Sequence, residues 1–242
     1  MPAGASAPSY TPPVRDHRGL TAYTVRPRCL NKWQTVCIVR DMNITVTGHK
    51  GGVGKTVTAI HLATFLANGA GGGSTLLIDG DPNQSALDWA KSGTLPFDVT
   101  APRDAAGVMS NREHVVLDTQ GRPSREILEG LVRQCDVLVV PTTPDPLAIK
   151  ALMLMVDDLQ RIRSTADYRV LLTNVPPWPS RSASKARAAF AARGVPMFEA
   201  QIRRRAAFER AALSGVPVYE VNDKRAREGW EDYQAAGEEL IR

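Results

Sequence analysis

From residue 42 onward the chain alternates short apolar runs with stretches of helical period. Residues 44–47, 75–79, 114–118, 136–141 and 168–173 are dominated by Val, Ile and Leu and are too short for helices, which predicts buried strands. Residues 97–100 predict a shorter one. Helices are predicted over 56–68, 85–91, 146–163, 180–193, 206–213 and 223–242, the first of them stopped by the glycine run 69–73. Strands that are apolar throughout, alternating with helices, predict an α/β fold: a mostly parallel, twisted sheet covered by helices on both faces. Such sheets hold ligands at the carboxyl ends of their strands. Residues 1–41 lack any such period and hold several prolines. They read either as a disordered arm or as sequence upstream of a true start at Met42, where MNITVTGHKGG begins directly with the first strand. Residues 42–242 read as one domain without internal repeats.

Composition narrows the class. A chain of 242 residues, 43% hydrophobic and 23% charged, suits an ordinary globular domain. No apolar run approaches the roughly 18 residues that cross a bilayer, and the N-terminal stretch has no apolar core of a secretory signal. Cys29, Cys37 and Cys135 show no metal-ligand spacing, which points to a reducing, cytoplasmic protein, with Cys135 a small buried hydrophobe beside a strand. The net charge of +5 is unevenly spread: residues 1–41 carry six basic and two acidic side chains, the remainder 24 and 23. Net charge is therefore no argument for nucleic acid, and only local clusters can make one.

The first strand runs into GHKGGVGKTV, residues 48–57. Gly51, Gly52 and Gly54 let backbone N–H groups turn inward around phosphate oxygens, with Val53 and Val57 inside the motif. Lys55 adds positive charge near the β- and γ-phosphates, Thr56 offers a hydroxyl to Mg²⁺, and the following helix points its positive end at the anion. This is a P-loop, and it predicts binding of ATP with Mg²⁺. His49 stands where the general pattern has glycine and reads as a neutral loop residue. Lys50 is a second lysine in front of the glycines. Downstream, Asp79 and Asp81 lie two apart at a strand end, where both can approach the phosphates. In VVLDTQG, residues 115–121, apolar residues run into Asp118, a second candidate Mg²⁺ carboxylate.

KGGVGKT together with LLIDGDPNQSALDWA (76–90) resembles the ParA/MinD family of deviant Walker A ATPases, over nearly all of residues 42–242. The segment 89–98 looks like the small ParF-type plasmid partition ATPases. The resemblance implies a P-loop NTPase fold and a homodimer that sandwiches two ATP molecules. Lys50 then reaches the nucleotide of the partner subunit, Asp81 orients the attacking water and Asp79 supports the Mg²⁺ shell. Asn83 and Gln120 replace residues usual in the family. LLTN (171–174) falls where the family begins its adenine loop, so Thr173 or Asn174 would meet the base, with Pro176 beside it. Residues 136–152 resemble a segment near the dimer interface, where Asp145 is an interface residue or a helix cap. Residues 181–210 hold eight basic and two acidic side chains. Arg204, with its neighbours Arg203 and Arg205, matches the arginine that contacts non-specific DNA.

The implied function is a slow, partner-stimulated ATP hydrolase that binds the nucleoid and moves plasmids or chromosomes with a small centromere-binding protein of ParB or ParG type. The acidic C-terminal segment from Glu228 speaks against the basic membrane helix of MinD-like relatives. The alternatives are a MinD-like positioning or regulatory scaffold that hydrolyses little, and an ATP-dependent metabolic ligase of the same fold.

Overall fold

The computed structural model describes residues 42–69, 73–162 and 167–242. The arm read over 1–41, Cys29, Cys37, the middle of the glycine run and the end of the helix read over 146–163 lie outside these residues. Seven strands form one sheet: β1 (Met42–Gly48), β2 (Thr75–Gly80), β3 (Asp98–Thr100), β4 (His114–Gly121), β5 (Val137–Thr142), β6 (Asp167–Val175) and β7 (Met197–Arg203). Their order is β3-β2-β4-β1-β5-β6-β7, and every neighbouring pair is parallel. Helices α1 (Lys55–Asn68), α2 (Ser85–Ser92), α3 (Pro102–Met109), α4 (Arg125–Gln134), α5 (Pro146–Ile162), α6 (Ser182–Ala191), α7 (Ala207–Ser214) and α8 (Ala226–Leu240) complete the domain. This is the parallel α/β sheet expected from the alternation of apolar runs, in the P-loop NTPase fold that the resemblance implies.

Three elements were not predicted. The buried side chains of α3 and α4 are Ala105 in the first, and Leu128 and Val132 in the second, too few to print a helical stripe. Strand β7 buries only Phe198 and Ile202, on the face where half-buried Ala200 lies between them, and the strand bulges against β6. Val170 pairs with Met197 but Leu172 with Gln201. The exposed backbone of that bulge is bracketed by two side chains. Arg187 on α6 donates to the carbonyls of Phe198, Glu199 and Ala200. Glu239 on α8 accepts from the N–H groups of Glu199 and Ala200 at 2.8 and 2.7 Å. An unpaired backbone group there would cost about 1–3 kcal/mol.

Two large cores flank the sheet, and a small third cluster packs Ala105 of α3 on Leu76, Ile78 and Val115. One large core packs α1, α7 and α8 through Ile60, Leu62, Leu77, Val116, Phe198 and Tyr233; the other packs α4, α5 and α6 through Leu128, Val140, Met155, Leu172 and Phe190. Cys135 sits half-buried against the second core, and burial pushes its thiol pKa up. Helix α1 is apolar nearly all round because it is enclosed by the sheet and α8. At their closest approach a Cβ on Gly237 would collide with the Phe65 ring. His61, fully buried in α1, stacks on Tyr233 at 4.7 Å. Its Nδ1 bonds the Val57 carbonyl and its Nε2 accepts the Val218 N–H, which fixes a neutral imidazole. Burial lowers its pKa to about 4.

Candidate nucleotide site

Strand β1 lies in the middle of the sheet, between β4 and β5, so its carboxyl end opens where the chain's crossovers diverge. Residues 49–54 leave that end and α1 starts at Lys55. The turn demands left-handed backbone at Gly52 (φ 74°) and Gly54 (φ 83°), which side chains resist. Val53 is buried under the loop, and its carbonyl accepts the Thr173 hydroxyl at 2.7 Å. That bond pins the loop to β6. The first turn of α1 has no acidic residue and no side-chain cap, so its amides stay available to an anion. Lys55 is buried, and its Nζ lies 3.4 Å from where a Cβ on Gly121 would stand, at the end of β4.

Val46, Asp118 and Asp79 stand in register on β1, β4 and β2. Asp79 is buried and its oxygens are engaged. Oδ2 accepts the N–H groups of Ala86 and Leu87 at 3.0 and 2.9 Å, and Oδ1 accepts that of Asp81 at 3.2 Å. The sequence placed Asp79 in the metal shell; the structure gives its oxygens to the start of α2 and to the backbone that carries Asp81. Asp81 is half-buried and closes a turn by accepting from Asn83 N and Nδ2, both at 2.9 Å.

Asp118 is different. It is fully buried, and neither carboxylate oxygen has a hydrogen-bond partner among the described residues. Desolvation raises its pKa to about 7; Thr56 and Lys55 pull it down, and Asp79 and Asp81 push it up. A carboxylate left so short of compensation suits a cation that is not part of the chain. Mg²⁺ binds through one or two carboxylates and the phosphates of its substrate rather than through a protein cage. Thr56 and Asp118 are the residues that fit Mg²⁺.

Lys50 points away from its own loop. Its Nζ lies 3.1 Å from Asp145 Oδ1, and Asp145 also accepts the Ala148 N–H at 2.9 Å and bonds the Thr143 hydroxyl. Asp145 thus caps α5, and these bonds, the Thr143 one foremost, hold its pKa near 2. A cavity of about 480 Å³ runs from Lys50, Gly51, Gly52 and Val53 to Asn174, Pro176 and Arg204. Of the two candidates for the base edge, Thr173 is buried and bonded to the loop, whereas Asn174 is exposed on the cavity. Thr143, Pro144, Ser180 and Ser182 also line it. The sequence reading missed them, although Thr143 follows directly on β5 and Ser180 directly on a proline.

The three consecutive arginines separate. Arg203 pairs with Asp232 at 2.7 Å, and Arg205, its side chain 10% exposed, pairs with Glu228. Arg204 alone is exposed, its Nε donating to Asn174 Oδ1 at 3.0 Å. Across the basic stretch, Arg187, Arg193, Arg203, Arg205 and Arg210 are engaged within the fold by backbone carbonyls, Asp157, Asp232, Glu228 and Asp223. Arg181, Lys185 and Arg204 remain.

Comparison with known proteins gives concordant results. The family described as "CobQ/CobB/MinD/ParA nucleotide binding domain" matches residues 44–218. The chain is 39% identical over 208 residues to the maintenance of carboxysome distribution protein A of Gloeobacter kilaueensis, covering 82% of this chain and 94% of that protein. It is 27% identical over 196 residues to protein ParA of Rhizobium radiobacter, covering 75% and 87%. A plasmid partition protein from Borrelia burgdorferi B31, solved with AMPPNP, superposes with a TM-score of 0.62 at 18% identity, covering 84% of this chain and 100% of that one.

Proposed function

Because the chain belongs to the CobQ/CobB/MinD/ParA family of nucleotide-binding domains, we propose that it is an ATPase that dimerises on ATP, binds DNA without sequence preference as the dimer, and so positions cargo on the nucleoid. The observation that carries this reading is Lys50. A second P-loop lysine that pairs with Asp145 at the edge of the cavity supports a role at the nucleotide of the partner subunit. Within one subunit, the loop amides and Lys55 hold the phosphates, and the base lies toward Asn174 and Pro176. Mg²⁺, held by Thr56 and Asp118, would neutralise charge on the β- and γ-phosphates. Phosphoryl transfer then asks mainly for an oriented water, and Asp81, fixed by Asp79 and Asn83, is the group for it. Arg204 is the exposed arginine that meets DNA, and hydrolysis stays slow until a protein partner engages the dimer.

In one version the cargo is a plasmid or chromosome, carried through a centromere-binding partner of ParB or ParG type. The 39% identity to a carboxysome distribution protein supports a second version, in which the cargo is a protein body. Mixing tests the shared site. Lys50→Ala and Asp81→Ala chains should each lose ATP turnover, and their equimolar mixture should recover part of it, because each mixed dimer assembles one complete site. A mixture as inactive as its components counts against the reading.

A further inference from the structure

Beside the nucleotide cavity lies a second groove, of about 620 Å³, between α5 and α6. Its apolar lining is Pro144, Pro146 and Ile149, and its charged lining is Lys150, Arg181 and Lys185. All three cations are exposed and have no ion-pair partner among the described residues. This sets them apart in a fold that neutralises most of its arginines internally. The groove also receives two helix starts, Pro146 of α5 and Ser182 of α6. Helix α6 begins with no side-chain cap and no acidic residue in its first turn, so its positive end adds to the field of the cations. Outside the groove, Leu147 (70% exposed) and Leu154 (55% exposed) flank Lys150 on α5 at spacings of three and four residues. An apolar floor, a cationic rim and an apolar shoulder therefore share one face.

We propose that this groove is a docking surface for an acidic segment of a partner protein, with an apolar side chain on the Pro144–Pro146–Ile149 floor and carboxylates on Lys150, Arg181 and Lys185. The alternative anion is duplex DNA. Its hydrated phosphate backbone draws on charge alone and makes no use of a recessed apolar floor, whereas a peptide uses both. The groove shares Pro144, Pro146, Ser180 and Ser182 with the nucleotide cavity but none of its charged residues, so ADP binding by the charge-reversed variant separates a failure of this proposal from a failure of the nucleotide reading.

The test is selection of a displayed library of short random peptides on the full chain. Counter-selection uses the variant Lys150→Glu/Arg181→Glu/Lys185→Glu, checked by its melting temperature and ADP binding. Enriched peptides should combine Asp or Glu with a large apolar residue, and the variant should bind them at least about tenfold more weakly, or 1.4 kcal/mol. A neutral version with glutamine at the three positions should weaken the same peptides less, and covers the case in which charge reversal disturbs folding. The proposal is overturned by peptides without acidic excess, by no enrichment over the variant, or by equal binding to both chains. It is overturned equally if the three changes abolish retention of duplex DNA while leaving peptide binding intact.

Discussion

Asp118 is buried without a hydrogen bond, and its pKa near 7 makes it a stability switch of definite sign. In the unfolded chain it ionises near pH 4, whereas in the fold it keeps its proton until about pH 7. Between those values the folded state binds more protons, so this residue's contribution to stability falls as pH rises. Replacing it with asparagine removes the titration. Without Mg²⁺ or nucleotide, the stability of Asp118→Asn relative to the parent should climb by up to about 1.4 kcal/mol per pH unit from pH 4 to 7 and then level off. Urea midpoints of both proteins across that range, in EDTA, measure it; parallel curves would remove the buried charge from the account. The residue was legible in the sequence because three apolar residues, Val115, Val116 and Leu117, run straight into it. The engagement of Asp79 was not, since its partners Ala86 and Leu87 lie beyond a turn that residue spacing does not describe.

At the scale of elements, α8 acts as the counterion of β7. Asp232 and Glu228 take Arg203 and Arg205, while Glu239 takes the bulge amides. The run of arginines therefore divides into two that hold an edge strand to its covering helix and one that faces outward. Arg203→Ala takes the ion pair from Asp232, 10% exposed, and leaves it the backbone N–H of residue 203, which should cost about 1–3 kcal/mol, with a melting temperature several degrees lower. Arg204→Ala should melt like the parent and yet lose retention on duplex DNA in the presence of ATP. Thermal melts and a salt-dependent DNA pull-down on both variants separate the roles; loss of DNA binding confined to Arg203→Ala would reverse the assignment. The sequence singled out Arg204 by resemblance alone and gave no reason to set Arg203 and Arg205 aside, because the ion pairs that engage them span 29 and 23 residues. Strand β7 was hidden for a related reason: it fully buries only Phe198 and Ile202, with small Ala200 between them, and Arg187 and Glu239, from separate helices, take up the backbone of its bulge.

For the whole molecule, a mostly parallel sheet was readable because a doubly covered sheet writes its strands as unbroken apolar runs, whereas the strand order and β7 were not. The P-loop was readable because backbone turned around phosphate needs glycine. What spacing could not supply is direction. Lys50 and Lys55 stand five residues apart, yet one is buried at the start of α1 and the other reaches Asp145 across the mouth of the cavity. That divergence is the reason for reading half of a composite site rather than a closed one. Sedimentation velocity with a non-hydrolysable ATP analogue and Mg²⁺ tests it most directly, on the parent chain and on Lys50→Ala. The parent should shift from monomer to dimer, and Lys50→Ala should bind the analogue and remain monomeric. A Lys50→Ala chain that dimerises as readily as the parent would contradict the shared site.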